Sequence, residues 1–430
     1  MTTLEVAGGR VLHPDGTVER GSVLVDQAAG EILAVGDTPD GDDSLDASGG
    51  LVIPGLVNGH THVAMTLLRG YADDKPLDRW LQEDIWPVEA ELEPEDVAAG
   101  AKLGVLEMIE SGTTAFSDMY FHVPEIASVV EEAGVRAVLG HTAVTIGKDD
   151  ADAAADVTKS VEVATDLDGA ADGRISATVQ PHSLTTVGES HLRDLAEASR
   201  DADLPLHYHA NETTDEVTPI VDEHGQRPLA FADDAGLLGD EDFIAHGVHL
   251  DESEIDLLAE RGTAVVHCPA SNMKLASGMA AVQRLRERGV TVGLGTDGAA
   301  SNNDLDLFDE IRDAAMIGKL AADDASAVPA EAVVEMATRD SADAIGLESG
   351  RLEEGAPADL AVIDLEQPHL TPPHDLVSHL AYAAAASDIR HTVCDGQVLM
   401  RDREVVTLDE RAVRERALEA AEALIARAED

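Results

Sequence analysis

The chain has 430 residues, of which 44% are hydrophobic, and this is enough for one large domain or for two unequal ones. Its 85 acidic residues outnumber 29 lysines and arginines, and the net charge of -56 at pH 7 argues against nucleic-acid binding, because phosphate contacts need basic side chains. Apolar strands and amphipathic helices argue against disorder, so we interpret the charge as an acidic coat that stays hydrated in concentrated salt, as in a halophile's cytoplasm.

The chain gives no signal for export, membrane insertion or disulfide bonding. The N-terminus MTTLEVAGGR has neither a basic start nor an apolar core, so no secretory signal is expected. No apolar stretch approaches the roughly 20 residues of a membrane span. Cys268 and Cys394 lie far apart in sequence and do not suggest a disulfide framework. We therefore expect a soluble cytoplasmic protein.

The two ends of the chain share a pattern of short strands. Residues 1–50 contain apolar runs separated by turn signals such as DG and GD, and the pattern returns in GRLEEGAPADLAVIDL and HTVCDGQVLMRDREVV. We predict that residues 1–51 and 346–407 form one small β-sandwich, into which residues 52–345 are inserted. Residues 408–430 are predicted to form an amphipathic helix that packs on the body.

The inserted region alternates apolar strand-like runs with helical patterns, which indicates an α/β fold with parallel strands. Eight such units predict a (β/α)8 TIM barrel, whose active site lies at the carboxyl ends of the strands. The acidic segment KDDADAAADVTKSVEVATD is interpreted as a solvated helix. The candidate strands are LVIPGLVNGH, TTAFSDMY, RAVLGH, ISATVQPH, PLHYHANE, DFIAHGVHL, TAVVHCP and VTVGLGTD.

Histidines and carboxylates occur where these strands end. His60 and His62 are two residues apart, so a strand points both imidazoles to one side, although an isolated pair of this kind can also be a packing feature. Neutral imidazole is the commonest metal ligand, and three histidines with an aspartate suit a cation such as Zn²⁺ with one position left for water. The residues at these ends are His60, His62, His209, Glu212, His246, His249 and Asp297.

Longer motifs carry a family resemblance. PGLVNGHTH, the HxxE after the fifth strand, MTLLRGYADDKPLDRWLQEDIWPVEAEL, QPHSLTT, HCPASNMKLASG and GTDGAASNNDLDLFDE resemble the amidohydrolase superfamily over essentially the whole chain. Within it, they resemble the branch of methylthioadenosine/S-adenosylhomocysteine deaminases, which includes 5'-deoxyadenosine deaminases. The resemblance implies a homo-oligomer that acts on a small nucleoside.

The resemblance also implies one divalent metal ion, most often Zn²⁺, with Fe²⁺, Ni²⁺ and Mn²⁺ left open. Binuclear relatives use a lysine at the end of the fourth strand, and ISATVQPH has none, which disfavours dihydroorotase and hydantoinase activities. His207 competes with His209 as a ligand, but the HxxE spacing selects His209 and leaves His207 in the barrel interior. The implied ligands are His60, His62, His209 and Asp297.

The implied reaction is hydrolytic deamination of a 5'-substituted adenosine to the inosine analogue and ammonia. Glu212 would carry a proton from water to purine N1, while His246 and Asp297 would orient the water and Asp297 would pass a proton to the leaving amine. An alternative for Glu212 is that it caps the following helix. His249 is interpreted as the packing member of its pair with His246.

The resemblance assigns the substrate contacts as well. Glu89 would accept hydrogen bonds from the ribose 2'- and 3'-hydroxyls, as suits a carboxylate facing a vicinal diol. His182 and Ser301 would contact the purine, and Trp86 would line the pocket, with packing as an equal alternative for Trp86. Two further histidines near strand ends, His122 and His141, are candidates for the rim.

One departure bears on the substrate. Relatives that accept S-adenosylhomocysteine often have arginines after the third strand, but HTAVTIGKDDADAAADVTKSV has none, and Lys148 is the only cation before Lys159. Neutral 5'-substituents, as in 5'-methylthioadenosine or 5'-deoxyadenosine, are therefore favoured. The alternatives are a guanine or cytosine deaminase, a triazine-type chlorohydrolase, or a scaffold protein that has lost its metal.

Overall fold

The terminal segments pair into a single sheet in a computed structural model that describes residues 2–429. This nine-stranded sheet has the order β18-β17-β16-β15-β5-β1-β2-β3, with β4 paired to β1. The two ends of the chain meet where β15 pairs antiparallel with β5. Its strands are β1 (Thr3–Leu12), β2 (Val18–Asp26), β3 (Glu31–Gly36), β4 (Asp43–Asp46), β5 (Gly50–Pro54), β15 (Leu360–Asp364), β16 (Ile389–Cys394), β17 (Gln397–Arg401) and β18 (Glu404–Val405).

All eight strands predicted for the inserted region are present, and neighbouring strands are parallel. One sheet has the order β10-β8-β7-β6, with β9 on β8, and the other has the order β11-β12-β13-β14. The fourth predicted strand is divided into β9 and β10. The strands are β6 (Leu56–Thr61), β7 (Thr113–Tyr120), β8 (Arg136–Ala143), β9 (Ile175–Ala177), β10 (Gln180–Pro181), β11 (His207–Ala210), β12 (Phe243–His246), β13 (Ala264–His267) and β14 (Val292–Leu294).

The two parallel sheets are linked at both edges. An isolated parallel bridge joins Val179 to Leu206 on one side. On the other side, the Asp297 backbone N–H donates to the His60 carbonyl (3.0 Å), and the Asn58 side chain donates to the Thr296 hydroxyl (2.7 Å). The carboxyl ends of β6, β11 and β14 therefore lie together.

Helices connect and cover the strands. Asp251 and Glu254 form a capping box at the start of α10, and Gly262, at φ 77°, ends it. The helices are α1 (Leu77–Trp80), α2 (Trp86–Glu89), α3 (Pro94–Glu110), α4 (Val123–Ala133), α5 (Asp150–Leu167), α6 (Ala170–Gly173), α7 (Glu189–Ala202), α8 (Thr214–His224), α9 (Pro228–Asp234), α10 (Glu252–Arg261), α11 (Pro269–Lys274), α12 (Val282–Glu287), α13 (Leu307–Ala322), α14 (Ala330–Met336), α15 (Arg339–Ala344), α16 (Leu376–Tyr382) and α17 (Glu410–Glu429).

Two of these helices lie in segments that the sequence predicts to be helical. The acidic segment forms α5, in which only Ala153, Ser160 and Ala164 are buried, so most of its surface faces solvent. The C-terminal segment forms α17, which packs on α3 and pairs Arg427 with Asp96. Across residues 2–429, none of the helices combines the length and the apolar character that crossing a membrane requires.

Candidate active site

Four predicted ligands converge at the carboxyl ends of three strands. His60 lies near the end of β6 and His62 follows that strand, while His209 is on β11 and Asp297 follows β14. One ligand atom from each residue lies within 4.8 Å of the others. His60, His209 and Asp297 are buried, and His62 is partly buried. The group that the sequence predicts is thus assembled from segments that are distant in the chain.

The outer nitrogens of two imidazoles are fixed by backbone carbonyls. His62 Nδ1 lies 2.6 Å from the Met119 oxygen, and His209 Nδ1 lies 2.7 Å from the His182 oxygen. A carbonyl only accepts, so each Nδ1 carries a proton, and each Nε2 is the atom turned to the ligand group. Contacts of this kind orient metal-binding histidines and select their tautomer.

His60 is held by a third imidazole instead of a carbonyl. Its Nδ1 lies 3.0 Å from His207 Nε2, and the His207 ring stacks on Phe243 with a centroid distance of 4.2 Å. Within residues 2–429, the buried His60 Nε2 has no hydrogen-bond partner. Since buried polar atoms are normally paired, this nitrogen is suited to a cation. His207 therefore lies inside the parallel-stranded region, behind the ligand group.

Asp297 divides its two oxygens between different partners. Oδ1 lies 3.1 Å from His62 Nε2 and 3.5 Å from His60 Nε2, whereas Oδ2 accepts hydrogen bonds from Ser271 (2.6 Å) and Ser301 (2.7 Å). The residue has φ 58°, in the left-handed region. Such conformations are held in place by surrounding structure and cluster at functional sites.

The charges of the group favour a cation between the carboxylate and the imidazoles. Burial lowers the pKa of His60 to about 3. Burial also acts to lower the pKa of His62, but the hydrogen bond and charge of Asp297 outweigh it and raise that pKa to about 9. Burial opposes ionisation of Asp297, yet the closeness of its Oδ1 to the imidazoles of His60 and His62 holds its pKa well below the usual range. The carboxylate therefore stays ionised and stabilises positive charge beside it.

Glu212 and His246 face each other next to this group. Glu212 Oε2 lies 3.7 Å from His246 Nε2, and Glu212 Oε1 accepts a hydrogen bond from the Ser277 hydroxyl (3.4 Å). Burial raises the pKa of Glu212, and the charge of His246 opposes that rise. His246, at φ 74°, lies with Nδ1 3.0 Å from Asn272 Oδ1, so its Nε2 is the atom turned to Glu212.

Residues with alternative roles near the site make the following contacts. Thr213, and not Glu212, caps α8, because its hydroxyl accepts from the Glu216 N–H. His249 Nε2 lies 2.7 Å from the Ser277 carbonyl, in agreement with a packing role. His141 Nε2 lies 3.0 Å from Asp156, and His122 precedes α4 with φ 49°.

Glu89, which is predicted to bind the ribose, has a hydrogen-bond partner that the sequence does not reveal. The Tyr120 hydroxyl donates to Glu89 Oε1 at 2.7 Å. Tyr120 is buried at the end of β7, with its ring centroid 6.2 Å from that of His62. Burial raises the pKa of Glu89, and the hydrogen bond from Tyr120 opposes the rise. This chain of contacts places Glu89 beside the ligand group.

The other predicted substrate contacts have different surroundings. The His182 ring lies 4.8 Å from the His209 ring and its Nδ1 lies 2.9 Å from the Thr186 hydroxyl. Burial lowers the pKa of His182 to about 4, so the ring is neutral at pH 7. The Ser301 hydroxyl is occupied by Asp297 and the Gly298 carbonyl. Trp86 is 41% exposed on α2.

Sequence comparison identifies the family. The family model described as "Amidohydrolase family" matches residues 51–399, which include every residue of this candidate site. The chain belongs to the amidohydrolase family. This membership makes it a hydrolase, and the four-residue ligand group lies within the matched region.

Several relatives of this amidohydrolase are similar over its whole length. It is 70% identical to the 5-methylthioadenosine/S-adenosylhomocysteine deaminase of Haloarcula marismortui over 100% of both chains. The corresponding protein of Halobacterium salinarum is 67% identical over 99% of both chains. The 5'-deoxyadenosine deaminase of Methanothermobacter thermautotrophicus is 44% identical over 97% of both chains.

Solved structures share the fold. The crystal structure of an adenosine deaminase from Xanthomonas campestris with bound zinc has a TM-score of 0.93 and 36% identity, covering 99% of each chain. An atrazine chlorohydrolase from Arthrobacter aurescens, complexed with zinc, has a TM-score of 0.89 and 23% identity, covering 98% of this chain and 100% of that one. The second likeness shows only the fold.

Sequence reasoning missed the residues that support the predicted ones. Ser271, Asn272 and Ser277 lie in the motif HCPASNMKLASG and contact Asp297, His246 and Glu212, respectively. Tyr120 lies at the end of a predicted strand. The motif marks the region, but polar residues of these types are common in loops, and only the fold shows which atoms they touch.

Proposed function

We propose that this amidohydrolase is a metal-dependent deaminase that hydrolyses the 6-amino group of 5'-substituted adenosines, giving the inosine analogue and ammonia. The observation that carries the proposal is the convergence of His60, His62, His209 and Asp297 beside the buried Glu212. The names and high identity of the relatives support the substrate class.

The donor set fits a single divalent cation, and the proposed ion is Zn²⁺. Three imidazole nitrogens and one carboxylate oxygen are a usual ligand set for this ion, and the unpartnered His60 Nε2 needs such a ligand. When bound, the cation supplies Lewis acidity that lowers the pKa of water to about 7. The zinc in the Xanthomonas structure supports this choice over Fe²⁺, Ni²⁺ or Mn²⁺.

Glu212 is the proposed proton carrier. Its carboxylate takes a proton from the attacking water and delivers it to purine N1, while the water oxygen bonds to C6. His246 Nε2, fixed by the contact of Nδ1 with Asn272, holds the attacking oxygen in line with C6. Asp297 passes the second proton to the exocyclic nitrogen, which leaves as ammonia. General acid-base catalysis of this kind contributes about 10²- to 10⁴-fold in rate.

The nucleoside is proposed to be recognised through its ribose and purine. Glu89 accepts hydrogen bonds from the 2'- and 3'-hydroxyls, and Tyr120 holds Glu89 Oε1 in place. His182 contacts the purine edge, Ser301 contributes a second contact there, and Trp86 lines the entrance. A free base has no diol, so these residues favour nucleosides over guanine, cytosine or a triazine.

The loop after β8 supports a preference for neutral 5'-substituents. Lys148 is its only cation before Lys159, and the Lys148 ammonium pairs with Asp156 at 2.8 Å. The same carboxylate accepts from the Val144 N–H and contacts His141. Because Lys148 is already neutralised, the carboxylate of S-adenosylhomocysteine finds no free positive partner in this loop. That substrate is therefore expected to react more slowly.

Architecture and context complete the proposal. The eight parallel strands are proposed to close into a (β/α)8 barrel, inserted in a small β-sandwich and followed by the C-terminal helix of residues 408–430. The predicted boundaries are residues 52–345 for the barrel and 1–51 with 346–407 for the sandwich, and the pairing of β5 in the terminal sheet moves the first boundary to Gly55. The links between β6 and β14 and the likeness to the Xanthomonas structure support this arrangement. We further propose a homo-oligomer in the cytoplasm of a halophile.

A substrate panel tests the function. Adenosine, 5'-methylthioadenosine, 5'-deoxyadenosine and S-adenosylhomocysteine are compared with guanine, cytosine and atrazine in molar KCl, with metal content measured in the same samples. Deamination of the nucleosides alone supports the proposal. Turnover of free bases or triazines in preference to nucleosides would replace it, and a metal-free protein inactive on every compound would indicate a scaffold.

A further inference from the structure

The two hydroxyl donors to Asp297 come from two separate segments. Ser271 lies in α11, and Ser301 lies in the segment of residues 298–303 that follows Asp297. Both donate to Oδ2, which leaves Oδ1 turned to the imidazoles. The orientation of the carboxylate therefore depends on how α11 and residues 298–303 are held relative to each other.

Glu310 joins these two segments. This residue of α13 is fully buried, with 0% of its surface exposed. Its Oε2 accepts a hydrogen bond from the Ala270 backbone N–H in α11 (3.1 Å), and its Oε1 accepts one from the Asn302 amide (2.5 Å). Asn302 also donates to the Thr296 carbonyl, next to Asp297. One buried carboxylate thus connects both sources of the hydroxyl donors.

The same helix positions a second group of the site. Asn272, two residues after Ala270, contacts His246 Nδ1. A displacement of α11 would therefore disturb the hydrogen bond to Asp297 and the orientation of His246 together. Among the described contacts, one other side chain joins α11 to residues 298–303: the Lys274 ammonium donates to the Ala300 carbonyl at 3.0 Å.

The chemistry of Glu310 suits this role better than a neutral residue would. Both of its partners are N–H donors, so both oxygens must accept, as a carboxylate can and an amide cannot. Within the described residues no lysine or arginine forms an ion pair with Glu310. Burial raises the pKa of Glu310, and the hydrogen bonds from the Ala270 N–H and the Asn302 amide oppose the rise. Its two hydrogen bonds to α11 and to residues 298–303, and not an ion pair, are therefore what Glu310 contributes.

We propose that Glu310 is a positioning residue that fixes α11 against residues 298–303 and so orients Asp297 and His246. It touches neither substrate nor cation. The proposal rests on the proposed function for its kinetic part, whereas its effect on cation binding follows from the ligand group alone.

Glu310→Gln tests this. Its amide group would face one of the two N–H donors and lose that hydrogen bond. Residues behind metal ligands typically affect metal affinity or activity by about 10- to 100-fold, so we expect Zn²⁺ affinity to fall by about 10-fold or more and kcat to fall similarly. KM for 5'-methylthioadenosine should change less than kcat, by no more than about threefold, because Glu89 and His182 lie outside α11 and residues 298–303.

Asp242→Asn is the matched control. Asp242 is a buried carboxylate that accepts from the Leu206 N–H and pairs with Arg200, immediately before β12 and so at the opposite end of the strands. Its replacement also removes a buried hydrogen bond and lowers stability, but it should leave Zn²⁺ affinity and kcat unchanged. A merely structural role for Glu310 would make the two variants behave alike.

Zn²⁺ affinity is measured by competition of metal-free protein with a chromophoric chelator in molar KCl. Asn302→Ala, which removes the hydrogen bonds of the Asn302 amide to Glu310 and to the Thr296 carbonyl but keeps the Ala270 contact, takes the place of Glu310→Gln if the latter does not fold. In a Ser271→Ala background, Glu310→Gln should cost less than in wild type, because the two share one route to Asp297. Unchanged Zn²⁺ affinity, or full additivity with Ser271→Ala, overturns the proposal. Inactive wild type that binds Zn²⁺ normally would refute the proposed function instead.

Discussion

Replacing Glu212 by glutamine removes the proposed proton carrier with little change of shape. Glutamine can still accept from the Ser277 hydroxyl, and the position is buried, with 7% of its surface exposed, so solvent water cannot readily substitute for the carboxylate. The loss of general acid-base catalysis predicts a fall in kcat of about 10²- to 10⁴-fold. This corresponds to about 2.7 to 5.4 kcal/mol of transition-state stabilisation.

The assay follows the change in absorbance of 5'-methylthioadenosine on deamination, at saturating substrate in molar KCl. Glu212 is outside the four-residue ligand group, so the variant should retain the metal content of wild type. Glu216→Gln is the matched control. Glu216 lies one helical turn away and accepts from the Glu212 backbone N–H, an interaction that glutamine keeps, so its kcat should change by less than about tenfold. A Glu212→Gln enzyme with kcat within about tenfold of wild type would refute the assignment.

The remaining predictions concern the substrate and the solvent. Tyr120→Phe should raise KM for adenosine by about 10-fold, because it removes a hydrogen bond to the Glu89 carboxylate and such bonds to charged groups contribute about 1.5–3 kcal/mol. The same variant should leave KM for 2',3'-dideoxyadenosine unchanged. Equal effects on the two compounds would contradict the ribose role of Glu89. The kcat/KM for 5'-methylthioadenosine should exceed that for S-adenosylhomocysteine, and Lys148→Ala should not alter the ratio; a higher value for S-adenosylhomocysteine would overturn the argument from the acidic loop. The melting temperature should rise as KCl increases to molar concentrations, because salt screens the repulsion of a chain with net charge -56, and a falling melting temperature would refute the adaptation to salt.

The ligand group was predictable because its members follow strands of recognisable pattern. HTH after an apolar run and HxxE after another each fix a side-chain direction relative to the backbone, and parallel strands bring their carboxyl ends to one edge. His60, His62, His209 and Asp297 therefore meet as expected. The motif of Glu310 was visible in the sequence as well, but nothing in it specifies that two N–H groups of other segments face that carboxylate.

The division of the first apolar run was not predictable. LVIPGLVNGH reads as one strand, yet β5 ends at Pro54 in the terminal sheet and β6 begins at Leu56 in the parallel sheet. Both strands are buried, so hydrophobicity is continuous across the change of sheet. The signal is Gly55, where a Cβ would lie 2.1 Å from the Thr114 hydroxyl oxygen, and this clash depends on a residue from another strand.

The cation is the most direct point at which the account can be tested. Elemental analysis of the purified protein, coupled to activity on 5'-methylthioadenosine before and after chelation, measures both its presence and its role. We predict one divalent cation per chain, loss of deamination when a chelator removes it, recovery on addition of Zn²⁺, and no bound cation in His209→Asn. Full deaminase activity in a metal-free protein, or normal metal content in His209→Asn, would contradict the account.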